Sequence, residues 1–185
     1  MATDISTFKG ALAYGGARPS LFDITISTAA DVTPMPDDIS TLCNVSAIPP
    51  LTLTPIERQY FGRTVKIPGD IVFGDLSTSI INTESMDIKL VIEEWMDKIN
   101  GVTTNKGYSD SVSMFGSVTL TQYGKAGDSL LYWTFQDCWP TAIAEVALSY
   151  DTASDIEQFD VTWAYNYYTQ GIGTATTVTE YAEQL

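Results

Sequence analysis

Three pairs of acidic residues are the side chains best suited by type and spacing to do chemistry: Asp37-Asp38, Glu93-Glu94, and Asp151 with Asp155. Two carboxylates across a cleft can act as general acid and as base or nucleophile on a glycosidic bond. In an acidic chain the same pairs read first as solvated surface groups. The sequence contains no histidine. That removes the commonest general base and metal ligand, and with them any Ser-His-Asp or Cys-His site. The run from Asp151 to Asp155 starts like a calcium loop but lacks the alternating ligands and closing Glu of an EF-hand. Gly15-Gly16 is no dinucleotide fingerprint, and no phosphate-cradling Walker loop occurs. Cys43 and Cys138 are far apart and share no metal-type spacing. They read as reduced, buried thiols, with a disulfide as the alternative. Trp139-Pro140 could mark a ligand pocket, but reads better as a turn with a packed indole. No catalytic residue, cofactor or metal is expected.

The elements that would position such groups come from composition and periodicity. The 185 residues suit one domain; 44% are hydrophobic and 17% charged, with ten Tyr, seven Phe and four Trp. This is a folding composition, and so low a charged fraction suggests surface covered by partners. Acids outnumber bases 23 to 9, for a net charge of -14. Tight binding to phosphates needs Lys and Arg, so strong nucleic-acid or anionic-membrane binding is not expected. The start, Met1 to Lys9, has no cationic run leading into an apolar one, so no secretory signal is read. No apolar run approaches the ~18 residues of a membrane span. The chain is expected to fold in a cytoplasm.

The dominant period is two. Ser20–Ser27, Ser111–Tyr123, Ser129–Gln136, Glu145–Tyr150 and Glu157–Tyr168 alternate apolar and polar residues, which predicts half-buried antiparallel strands. In the last of these, Phe159, Val161, Trp163, Tyr165 and Tyr167 share one face. Gly62–Ile67 and Ile71–Ile81 are further candidates, the latter with a bulge at Gly74. From Glu84 to Asn100 the period becomes 3.6, with Ile88, Val91, Ile92, Trp95, Met96 and Ile99 in one arc. Thr83 is the expected N-cap and Asn100-Gly101 the stop. Leu90 alone is apolar on the polar face. The fold class is mainly β: an antiparallel sandwich or partly closed barrel with one inserted amphipathic helix. Residues 1–168 are expected to form one domain with an irregular N-terminal arm and loops at 28–41 and 49–63. Residues 169–185 are expected to be a C-terminal extension.

Several stretches resemble a known family in order. They are Ala17-Arg18-Pro19-Ser20-Leu21-Phe22-Asp23-Ile24-Thr25-Ile26, Cys43-Asn44-Val45-Ser46-Ala47-Ile48-Pro49, and Ile67-Pro68-Gly69-Asp70. A helix with an internal Trp95 follows. Trp139-Pro140-Thr141, Val146-Ala147-Leu148-Ser149-Tyr150-Asp151 and the strand from Ile156 to Tyr168 close the set. Together they resemble the tail tube proteins of contractile-tail phages, whose fold recurs in type VI secretion tubes. Thr169–Leu185 has no counterpart in that pattern, and Thr28–Thr41 looks like an enlarged loop.

The resemblance implies a structural subunit and no enzyme. Six copies would form a ring, strands would join across subunit borders into one inner barrel, and rings would stack inside a sheath. The expected partners are further copies, the sheath, baseplate and tail terminator proteins, with tape measure protein and DNA passing through unbound. The expected location is the virion, after synthesis in the bacterial cytoplasm. The connection Pro49–Arg63 is too apolar for a free loop. Leu51, Leu53, Ile56, Glu57, Arg58, Tyr60, Phe61 and Arg63 are its candidate contacts to an adjacent subunit or ring, with packing on its own domain as the alternative. Ser77, Ser79, Ser113, Ser117, Thr119 and Thr121 are candidates to line the bore, or else an outer solvent face. The competing functions are a tube of a phage-like injection machine, a terminator or neck ring, and a carbohydrate-binding or hydrolytic β-sandwich.

Overall fold

In the computed structural model the described residues are 4–12, 15–107, 112–146, 148–150 and 156–173. Their frame is an antiparallel sheet built around one long strand. Strand β1 (Phe22–Ser27) pairs with β6 (Gly116–Tyr123), and β6 pairs with β7 (Ser129–Ile143). On its other side β7 carries β9 (Tyr167–Ile172) and then β8 (Gln158–Ala164). Strand β8 pairs with β5 (Leu76–Ile81), and β5 with β2 (Cys43–Ala47). Two four-stranded halves result, β1-β6-β7-β9 and β7-β8-β5-β2, hinged on β7. The mainly-β, antiparallel class read from the alternation is what the chain adopts.

The hinge corrects two sequence expectations. Trp139-Pro140 is not a turn: β7 continues through it, with a register shift against β8 just after Pro140. Proline is tolerated there because β6 ends opposite Cys138, so no strand on that side calls for the missing N–H. The segment Glu157–Tyr168 is not one uniform strand. It breaks at Tyr165 and Asn166, opposite a bulge in β7 where Asp137 takes φ +52°. Asn166 Nδ2 donates to Asp137 Oδ2 at 2.9 Å and its backbone N–H to Gln136 O at 3.2 Å, so the two bends lock together. Tyr167 therefore lands on an exposed face instead of extending the buried row of Phe159, Val161 and Trp163.

The core fills the space between the half-sheets. Ile24, Ile26, Val118, Leu120, Phe135, Leu76, Ile80, Phe159, Val161 and Trp163 point into it, as the alternation requires. Helix α3 (Asp87–Ile99) closes it with Ile88, Val91, Ile92 and Trp95. The Trp95 and Trp163 rings sit 5.9 Å apart, and Trp95 Nε1 donates to Met114 O at 2.9 Å. The segment 28–41 packs inward, burying Ala29, Val32, Met35 and Ile39, the last in the short α2 (Ile39–Leu42).

The start of α3 differs from expectation. Thr83 does not cap it; Met86 does, at φ 54° and with no side-chain cap bond. Asn82 is held to the start of β8, its N–H on Glu157 O at 2.9 Å and its side chain on Glu157 Oε1 at 2.6 Å. A turn, Met86 N–H to Thr83 O, must intervene before the helix can begin. The described residues of the predicted strand Glu145–Tyr150 form no strand. Leu148 and Tyr150 stand exposed, and no described strand takes them up. Residues 112–114 form a 3-10 turn, so the predicted strand there begins only at Gly116. The expected boundary after Tyr168 falls inside β9.

Candidate assembly surfaces

The first surface is a hairpin. The segment expected to be an irregular connection from Pro49 to Arg63 is instead β3 (Leu51–Tyr60), paired with β4 (Arg63–Phe73). The correction has a local cause. Phe61 (φ 45°) and Gly62 (φ 78°) both take positive φ, the two-residue geometry that matches strand twist. Every residue of β3 is exposed, and neither strand pairs with the main sheet.

The hairpin has two faces. Ile56 opposite Ile67, Arg58 opposite Val65 and Tyr60 opposite Arg63 make one. Glu57 opposite Lys66 and Gln59 opposite Thr64 make the other, with the Lys66–Glu57 ion pair at 3.0 Å. Phe61 is 91% exposed at the tip, its ring edge-on to Tyr60 at 4.6 Å. The structure thus brings Ile56, Arg58, Tyr60, Phe61 and Arg63 together near the tip. Leu51 and Leu53 lie at the root, beyond a bulge, and Glu57 faces the other way. Three of the nine cations of the chain, Arg58, Arg63 and Lys66, sit here, against Glu57 and Asp70. The hairpin is slightly basic in a strongly acidic molecule.

Its root is anchored. The Phe73 ring lies 5.9 Å from Tyr165 and 5.6 Å from Tyr168. Tyr165 Oη donates to Gly74 O at 2.8 Å. Burial, with the neighbouring Tyr168 next, pushes the Tyr165 phenol up to about 12, so it remains a donor.

The second surface is the half-sheet β1-β6-β7-β9. Among the described residues its outer strands, β1 and β9, each pair on one side only. Its inner face is core. Its outer face is polar, and the register lines it up in rows. Asp23, Thr121, Tyr132 and Gly171 form one row; Thr25, Thr119, Thr134 and Thr169 form the next. The Thr119 and Thr134 hydroxyls are 3.4 Å apart. Asp23 is the single charged side chain in these rows, and none is basic. On the two outer strands, Asp23 Oδ1 and Thr169 Oγ1 are buried without a hydrogen-bond partner.

The six hydroxyl residues expected at a bore do not all meet. Ser117, Thr119 and Thr121 share this face. Ser77 and Ser79 lie on β5 in the other half-sheet, and Ser113 is in the 3-10 turn. Thr25, Thr134 and Thr169, not singled out from the sequence, join Ser117, Thr119 and Thr121 on this face. Each lies in an alternating strand, but only the pairing register shows that they align.

The acid pairs do not make a cleft. Asp37 and Asp38 are exposed beside α2, and Glu93 and Glu94 are bound in (i, i+4) ion pairs to Lys89 and Lys98 at 3.2 and 2.8 Å. Asp151 and Asp155 lie outside the described residues. The thiols are buried and unbonded to each other, and burial pushes Cys43 up to about 11 and Cys138 to about 12.

Among the described residues, the half-sheet edges at β1 and β9 and the exposed β3–β4 hairpin are surfaces of the kind through which copies of a structural subunit join. The similarity to known proteins makes it specific: residues 17–171 match the phage tail tube protein family, and the chain belongs to it. It is the structural subunit of a tail tube. It is 24% identical over 153 residues to tail tube protein gp19 of Enterobacteria phage T4, covering 82% of this chain and 90% of that one. It is 28% identical over 166 residues to the tail tube protein of Serratia phage KSP90, covering 86% and 92%. Its fold resembles a chain of the sheath-tube complex of an extracellular contractile injection system, PVC, in the extended state. That likeness has a TM-score of 0.57 and 17% identity, over 92% of this chain and 99% of that one.

Proposed function

We propose that the chain forms hexameric rings that stack into the inner tube of a contractile phage tail, and that DNA leaves the virion through the bore. The observation that carries this is the half-sheet with two edges that pair with no described strand and a polar face free of basic groups, Asp23 being the one charge in its rows. Unpaired edges are a standing template for further pairing. Four strands per copy is an even number, so β1 of one copy meets β9 of the next antiparallel, and alternation continues round the ring. Six copies give about 24 strands at ~4.8 Å spacing, a barrel about 37 Å across for upright strands and about 45–52 Å at the usual tilt, and barrels of 16–18 strands already hold an aqueous channel.

In this reading the rows of Thr25, Thr119, Thr134 and Thr169 face the bore. A cationic lining would hold phosphates, and a hydroxyl lining does not. The bulk of the negative charge lies elsewhere on the molecule, where it keeps the ring from binding DNA outside. The reading includes no catalysis. The hairpin contacts an adjacent subunit or ring, its slightly basic surface meeting the acidic body of another copy. The sheath is a partner in this reading, supported by the likeness to a sheath-tube complex. Terminator and baseplate cap the two ends, and the tape measure protein precedes DNA through the bore. Residues 17–171, the span of the family match, act as one domain.

The test is electron microscopy of the purified chain beside one in which 51–73 is replaced by a short turn. Long hollow tubes from the intact chain, and a folded but unassembled variant, are expected. A stable monomer under all assembly conditions sinks the tube reading, and normal tubes from the variant sink the role of the hairpin. The likeness to an injection machine keeps a second reading in view, a device that delivers protein. Neighbouring capsid and portal genes decide for the phage tail, and a dedicated ATPase with effectors decides against it.

A further inference from the structure

Helix α1 (Ile5–Ala11) lies outside the matched family span of 17–171. It has seven residues, with Asp4 capping Ser6 N–H at 3.3 Å. Isolated helices this short do not hold in water and need a packed face. The face exists and is uncovered: Ile5, Phe8 and Leu12, spaced three and four apart, are 70%, 65% and 44% exposed. Lys9 stands beside it in the last turn.

A receptor of matching chemistry exists on the same molecule. Between α3 and the edge of β7 that pairs with no described strand runs a groove of about 840 Å³, lined by Met96, Ile99, Trp139, Pro140 and Ile143 together with the carboxylates of Glu93 and Asp97. Glu93 is already paired with Lys89; Asp97 Oδ1 accepts from Val102 N–H at 2.9 Å, and its carboxylate can accept a further bond, so the lining complements an apolar helix face flanked by one lysine.

The chain's own α1 does not fill it, since Ile5, Phe8 and Leu12 remain exposed. Gln122 Nε2 donates to Arg18 O at 3.4 Å and pins the arm at the end of the sheet where Gln122 stands opposite Leu131.

We infer that α1 docks its Ile5, Phe8 and Leu12 face into the groove between α3 and β7 of a second copy, with Lys9 toward Asp97. It acts as a strap added to the family fold, joining subunits that the sheet edges and hairpin already bring together. The inference rests on the tube reading, and the experiment separates the two. Chains carrying Leu12→Cys are mixed with chains carrying Met96→Cys, assembled and oxidised. The expected result is a disulfide between the two kinds of chain, formed only in the assembled state. Phe8→Asp should lower tube yield at least fivefold with unchanged monomer circular dichroism. Lys9→Asp should weaken assembly, and Asp97→Lys in the same chain should restore it. Tubes that form normally with Phe8→Asp and give no cross-link overturn the strap and leave the tube reading intact. A cross-link confined to doubly substituted chains in the monomer overturns it in favour of a contact within one chain. Failure of the unsubstituted chain to assemble counts against the tube reading itself.

Discussion

Trp163 illustrates how single side chains hold this fold. Its Nε1 donates to Thr78 Oγ1 at 2.9 Å, and both residues are almost fully buried. Trp163→Phe keeps most of the packing but leaves a buried hydroxyl without its donor. A loss of about 1–3 kcal/mol is expected, read from urea midpoints, and Thr78→Val in the same chain should recover part of it. The thiols make a second, pH-dependent contribution. Unfolded, they release their protons near 9.0; folded, Cys43 holds its proton to about 11 and Cys138 to about 12. In that window the folded state binds more protons, so stability is full below pH ~9 and falls as pH rises. Each thiol contributes a slope of about 1.4 kcal/mol per pH unit. Cys138→Ala should flatten the fall between pH 9 and 11 by that amount, whatever it costs at neutral pH. An unchanged slope would show that Cys138 ionises in the folded state.

Among the elements, the hairpin combines local backbone strain with an exposed ring at its tip. Its turn places Phe61 in the left-handed region, where a bulky side chain costs roughly 1–2 kcal/mol and Asn very little. The ring is nonetheless exposed at the tip. Phe61→Asn should therefore steady the hairpin in the isolated chain, seen as slower amide exchange in β3 and β4. The same change should reduce tube assembly severalfold. Faster exchange, or unaltered assembly, would remove the assigned role of the ring. The bend at Asp137 and Asn166 is the other decisive element. It passes β7 and the β8–β9 line from one half-sheet to the other, leaving β9 beside β7 with an outer edge that no described strand pairs.

For the assembled molecule, the charge of the bore is the property that matters most. In the proposed ring each copy presents the hydroxyls of one threonine row, with Asp23 as the only charge in the rows described. Thr134→Arg on that face would add a ring of guanidinium groups able to bind the phosphates of passing DNA. Tubes should still assemble, because the strand edges are untouched. Virions should eject DNA more slowly, with the defect relieved as salt rises. Normal ejection from such tubes would place this face away from the lumen.

Period-two alternation was enough to place Ile24, Ile26, Val118, Leu120, Phe159, Val161 and Trp163 in the core. The 3.6 period did the same for Ile88, Val91, Ile92 and Trp95. Hydrophobic burial acts on every second or every third-to-fourth side chain whatever the partner, so those patterns are local and readable. The motifs from Ala17 onward carried the family for the same reason. What needed the fold was everything set by pairing between distant strands. Strand register alone aligned Thr25, Thr119, Thr134 and Thr169, and sent Ser77 and Ser79 to the other half-sheet. The turn at Phe61-Gly62 made a projecting hairpin of an apparent loop. Alternation at Glu145–Tyr150 gave no strand among its described residues, which join no strand ladder of the described sheet. A strand is completed by its partner, and which partner is near is decided by the path of the whole chain.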